Sequence, residues 1–156
     1  MSAREVIHYG RTLLRKKCEP VRDFNDLDDL IDDMFDTMYE ENGIGLAANQ
    51  INVDLQIFVV DISDIEEEGE NIHVFINPMI TETEGESWLN EGCLSVPNVR
   101  LDVKRPSKIT MDFQDRTGKK FSKQLMDCFL LLSSMRWTIL MEILSLIAFM
   151  KLRKLE

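Results

Sequence analysis

Leu27, Leu30, Ile31, Met34, Phe35 and Met38 recur at i, i+3, i+4, i+7, i+8 and i+11. That spacing is one apolar stripe of a helix and predicts a helix over 26–41. Asn25 stands where an N-cap belongs, and Asp26, Asp28 and Asp29 favour the positive end of the helix dipole. Asn42-Gly43 supplies the stop. Met34 and Met38 lie on the stripe and are read as core. A different pattern follows. Residues 55–62 are apolar and β-branched, as a buried strand would be. Residues 64–70 form an acidic loop, and 73–77 a second strand that Pro78 should stop. Segments 109–114 and 119–123 flank Asp115-Arg116-Thr117-Gly118, the pattern of a hairpin turn. One helix among short strands, without a strand–helix–strand rhythm, predicts an α+β fold with antiparallel β-sheets around helical structure. The helix is expected to set Leu30, Met34 and Phe35 against strands carrying Phe58, Val60 and Phe75.

The pattern changes after about Gln124. Residues 125–150 are almost all Leu, Ile, Met, Phe, Ser, Thr and Trp, broken by Asp127, Arg136 and Glu142. The internal charges argue against a membrane-spanning helix. The apolar residues also respect no single face, unlike the stripe at 27–38. The chain is therefore expected to divide into an ordered domain over 1–124 and an aberrant apolar segment over 125–156.

The 156 residues match the size of one domain. A net charge of −10 argues against a nucleic-acid-binding patch. Three widely spaced cysteines, Cys18, Cys93 and Cys128, do not form a disulfide framework and suit a reducing compartment. Met-Ser-Ala-Arg-Glu has no apolar run behind it, so no signal peptide is expected. A cytoplasmic monomer is the expectation.

Candidate chemistry is concentrated in two strings. Gly43-Ile44-Gly45-Leu46-Ala47-Ala48-Asn49-Gln50 surrounds an approachable backbone with small residues and ends on a carboxamide. Glu91-Gly92-Cys93-Leu94-Ser95 places a thiol between a glycine and a hydrophobic residue. Alone, such a cysteine is more often a small buried hydrophobe. Together the strings resemble the first two signature motifs of the peptide deformylases, metal-dependent hydrolases that remove the formyl group from nascent polypeptides. The likeness covers residues 1–124. It implies that Cys93 is a ligand of Fe2+ or Zn2+, and that Gln50 and the backbone N–H of Leu94 bind the formyl oxygen. It further implies that Gly43, Ile44 and Gly45 line the cleft and pair with the substrate, and that Glu91 orients the site by hydrogen bonding. The implied partners are N-formylmethionyl nascent peptides and, by proximity, the ribosome. One departure is local: Leu14-Arg15 is preceded by Gly10-Arg11 where the family commonly has Pro-Asp.

The third signature, His-Glu-x-x-His on a helix, is missing. One helical turn would set its two histidines side by side, with the glutamate as general base. The chain's two histidines, His8 and His73, form no such pair. As written, one metal ligand of three is present. The genetic code suggests where the others went. Reading the last base of each codon with the first two of the next, Ser134 into Met135 admits CAT, histidine. Met135 into Arg136 admits glutamate, and Thr138 into Ile139 a second histidine. The shifted frame across 134–142 admits His-Glu-Met-Asp-His-Leu-Asn-Gly, preceded by Gly-Leu-Leu and Ile-Gln. Translation of the last fifth out of frame, by sequencing error or a lesion, is the resulting expectation, with metal binding weak or absent. A formyl-methionyl peptide-binding module without catalysis is the alternative.

Overall fold

The computed structural model describes residues 3–63 and 71–126. The expected acidic loop at 64–70, Cys128 and nearly all of the apolar segment after 124 lie outside the described residues.

Helix α1 spans Asp28–Glu40 and buries Ile31, Met34, Phe35 and Met38, as the stripe requires. It begins later than the sequence suggests. Asn25 is not the cap; its N–H and side-chain amide turn back to Asp23, and Asp26 takes a left-handed φ of 62°. Leu27 occupies the cap position without a side-chain bond, leaving Asp28 and Asp29 to interact with the dipole. The C-terminus closes as a Schellman motif. Gly43 N–H donates to Met38 O at 2.8 Å and Asn42 N–H to Tyr39 O at 3.1 Å. Asn42, not Gly43, takes the left-handed conformation there, at φ 55°.

Strands β1 (Gly45–Ala47), β2 (Ile57–Asp61), β3 (Ile72–Glu84), β6 (Lys108–Gln114) and β7 (Lys120–Met126) form one sheet in the order β1-β2-β3-β6-β7. All its pairings are antiparallel. Strands β4 (Ser87–Cys93) and β5 (Val96–Arg105) form a separate two-stranded hairpin. Pro78 does not stop β3. The strand runs through it because Asn77 and Pro78 lie in a register shift between Ile76 and Met79, where no ladder N–H is needed. Asn77 holds the irregularity at φ 51°. Its side chain accepts from Val21 N–H at 2.7 Å and donates to Val21 O and Gln114 Oε1, each at 2.8 Å.

The large sheet separates two clusters. Leu46, Ile57, Val59 and Ile76 pack with α1 through Ile31, Met34, Phe35 and Met38. Phe58, Val60 and Phe75 belong instead to the opposite cluster, with Ile109, Met111, Phe113 and Leu125. The expected helix partners are thus off by one residue: strand side chains alternate faces, so α1 meets the odd-numbered neighbours along β2. Among the described residues, no helix contributes to the second cluster. Its aromatic rings form a ladder, with Phe58–Phe75 centroids at 4.6 Å and Phe75–Phe113 at 4.7 Å.

Candidate functional site

The Schellman closure of α1 delivers the chain directly into the first glycine-bearing string. Gly45 to Ala47 then pair with Val60 to Phe58 of β2, and Ile44 O accepts from Asp61 N–H at 3.0 Å. β1 is the end strand of its sheet; among the described residues its only strand partner is β2. An end strand offers a second row of backbone donors and acceptors, the geometry that receives an extended peptide.

Immediately after β1 the chain tightens into a 3-10 turn, Ala48–Ile51, which buries the Gln50 side chain to 4% exposure. Its carboxamide has one allowed orientation. Ala47 N–H donates to Oε1 at 2.9 Å, so Nε2 must face the other way. On that side lie Ser95 Oγ at 3.3 Å and Cys93 Sγ at 3.8 Å.

Cys93 reaches this position from the hairpin. It ends β4 and pairs with Val96, leaving Leu94 and Ser95 in the turn, after a register shift at Gly92. Ser95 is fully buried. Leu94 folds its side chain over Gly43, where an added Cβ would lie 2.8 Å from Leu94 Cδ1. A side chain at residue 43 would have to push the end of Leu94 aside.

The structure thus brings Gln50, Cys93, Leu94 and Gly43 together, with Ile44 and Gly45 on the adjoining edge. Glu91 is in β4 opposite Leu101, but its side chain lies outside what is described. His73 is on β3 opposite Val60, its ring 5.7 Å from that of Phe75. His8 is exposed in the N-terminal segment. Among the described residues, no group of three or more His, Cys, Asp or Glu side chains is arranged to hold a metal ion. These residues do not by themselves fit a metal centre. Burial separates the other described thiol from this chemistry: it raises Cys18 from its ordinary 9.0 to about 11, keeping it protonated at neutral pH.

Two contributors had no assigned role in the sequence reading. Ser95 stands inside the second string, where a hydroxyl by itself signals no role. The N-terminal segment gave no signal, because it acts through its backbone: Ile7 N–H donates to Gln50 O at 2.7 Å and Tyr9 N–H to Ser95 O at 2.9 Å.

An open edge strand that ends at a buried, oriented carboxamide beside a thiol defines a small α+β protein with a cleft built from two loops. A polypeptide deformylase family model matches residues 3–131, and the chain belongs to that family. It is similar to a peptide deformylase from Legionella pneumophila, at 33% identity over 99% of this chain and 99% of that one, with a TM-score of 0.78. A Plasmodium falciparum peptide deformylase is 35% identical, covering 87% of this chain and 80% of its own, at TM-score 0.80. A third, from Synechococcus elongatus and solved with actinonin, is 32% identical over 83% of this chain and 71% of its own, at TM-score 0.77. Among the described residues, no helix is long and apolar enough to cross a membrane.

Proposed function

We propose that residues 1–124 keep the substrate-facing half of a polypeptide deformylase and that the chain as written is catalytically defective. Its substrate class is the N-formylmethionyl end of nascent polypeptides, met in the cytoplasm beside the ribosome by a monomer. Gln50 Nε2 and the Leu94 backbone N–H donate to the formyl oxygen. Gly43, Ile44 and Gly45 pair with the peptide backbone along the β1 edge, and Glu91 orients the cleft. Cys93 stands where the family has one ligand of iron or zinc, and with the other two ligands missing the chain binds the metal weakly or not at all. The observation that carries this reading is the convergence of Gln50 Nε2 and Cys93 Sγ, 3.8 Å apart, at the end of an open edge strand.

The defect follows from the whole sequence, whose two histidines lie outside any His-Glu-x-x-His pattern. Oriented donors such as Gln50 contribute on the order of 10²–10³ each when charge develops on the oxygen. They create no nucleophile. Without the ligands and general base of the third signature, the described residues bind and orient but do not hydrolyse. That same asymmetry favours the second reading, a formyl-methionyl peptide-binding module, in which edge and donors suffice.

Formate release from formyl-Met-Ala-Ser, with Fe2+ or Zn2+ supplied, tests both. The chain as written should show no turnover, and a chain with the downstream frame restored should recover it. Robust turnover by the chain as written, with one metal bound per chain, would overturn the defect. Saturable binding of the formylated peptide without turnover supports the binding module.

A further inference from the structure

We infer that Ser95 is a positioning residue that assigns the two hydrogens of the Gln50 carboxamide to different tasks. The inference rests on the reading of Gln50 as the donor to the formyl oxygen. It goes further by naming what aims that donor.

A primary amide carries two N–H bonds on one side and an acceptor oxygen on the other. At Gln50 the oxygen is taken by Ala47 N–H at 2.9 Å, which prevents the amide from flipping. One Nε2 hydrogen goes to Ser95 Oγ at 3.3 Å. The second faces Cys93 Sγ at 3.8 Å, a long and weak contact to sulfur. A carbonyl oxygen arriving beside the thiol would compete easily for this second hydrogen. The first stays on Ser95 throughout. The carboxamide is thus held at both ends of its plane, with one N–H left to work.

The environment explains why a hydroxyl stands there. Ser95 is fully buried, and a buried hydroxyl costs free energy unless it is hydrogen-bonded. Gln50 supplies that bond. The backbones of the two residues are held by the same segment: Ile7 N–H bonds Gln50 O and Tyr9 N–H bonds Ser95 O. Alternate N–H groups of an extended segment point to one side, so three residues can hold both loops at once. Val6, buried in the α1-side cluster, anchors that segment. Removing the Ser95 hydroxyl leaves these backbone bonds intact. It therefore separates the aim of the amide from the joining of the loops.

The test uses the full 15N-labelled chain and the side-chain amide signals of Gln50. In the unsubstituted protein the two hydrogens should give well-separated resonances with slow solvent exchange. S95A should bring the pair together and speed their exchange about tenfold, while the backbone amides of Ile7 and Tyr9 stay in place. S95T, which keeps the hydroxyl, should restore the original signals. A Gln50 pair unchanged in S95A overturns the proposal, as does failure of S95T to restore it. If S95A does not fold, S95C, close in volume and a much weaker acceptor, is read by the same criterion. Formyl-Met-Ala-Ser and its unformylated counterpart then test the underlying reading: only the formylated peptide should shift the second hydrogen. No such shift in the unsubstituted protein overturns Gln50 as formyl donor, and with it the catalytic sense of the positioning. The S95A comparison still reports separately whether the amide is held.

Discussion

Gly43 and Cys18 each carry a consequence that measurement can check. At Gly43 the space for a Cβ is occupied by Leu94 Cδ1, 2.8 Å away. Gly43→Ala must displace a side-chain end rather than backbone, so it should lower stability by only about 1 kcal/mol in a urea titration. It should weaken formyl-peptide binding more, because the displaced residue bears the second proposed donor. Cys18 is 3% exposed, and burial raises its thiol to about 11. A folded-state value above the ordinary 9.0 means that the unfolded chain releases its proton first as pH rises. The associated stability is complete below about pH 9 and is lost as pH approaches 11, up to about 2–3 kcal/mol. Tyr39, raised to about 12 by burial and by its bond to Asp61, acts in the same direction at still higher pH. Urea midpoints between pH 7 and 10.5 should therefore fall on the alkaline side, and C18S should flatten that fall. Alkylation of the native chain at pH 8 should spare Cys18 while modifying Cys93. The identities of Gln50 and Cys93 were legible in the two strings. Ser95 was legible as a letter but not as a role, since a hydroxyl's function depends on which polar atom it meets.

Elements differed in how openly the chain announced them. α1 was plain from its stripe, because a period of 3.6 sustained from Leu27 to Met38 has no strand counterpart. Its start was not: Asn25 resembled a cap, yet the backbone at Asp26 turns left-handed before the helix begins. β3 was cut short at Pro78, whose ring forbids a ladder N–H, because the register shift that tolerates it depends on contacts made far away in sequence. Asn77 is that contact. Its three side-chain bonds join β3 to Val21 and to Gln114 of β6. Asn77→Ala removes them and places an alanine at φ 51°, and should cost about 3 kcal/mol in chemical denaturation. Asn77→Gly, free of the backbone strain, should cost about 1 kcal/mol less. Equal losses for the two variants would assign the whole effect to hydrogen bonding. The β4–β5 hairpin was missed as an element, although it carries Cys93. Its alternation is interrupted by charges and by the shift at Gly92, so no period-two signal stands out.

At the scale of the molecule, the proposed reading makes the last fifth of the chain decisive. Restoring the downstream frame should raise both metal content, measured per chain by elemental analysis, and formate release. Raising metal alone would show that ligands return without a competent base. The chain's own sequence settled several things: one α1 stripe, two loop strings, a family and two histidines, His8 and His73, too far apart to make the third signature. These are local or additive properties, readable wherever the residues stand. Which face of the sheet α1 covers was not among them. Phe58, Val60 and Phe75 were equally apolar candidates, and a one-residue difference in register decides between faces. Nor could the strings show that Gln50 and Cys93, forty-three positions apart, meet at 3.8 Å. That meeting depends on Leu94 lying over Gly43 and on Ile7 and Tyr9 bonding both loops. Periodicity reports the environment of a residue along its own element, whereas a site is made by long-range pairing between elements, and only the folded chain specifies that.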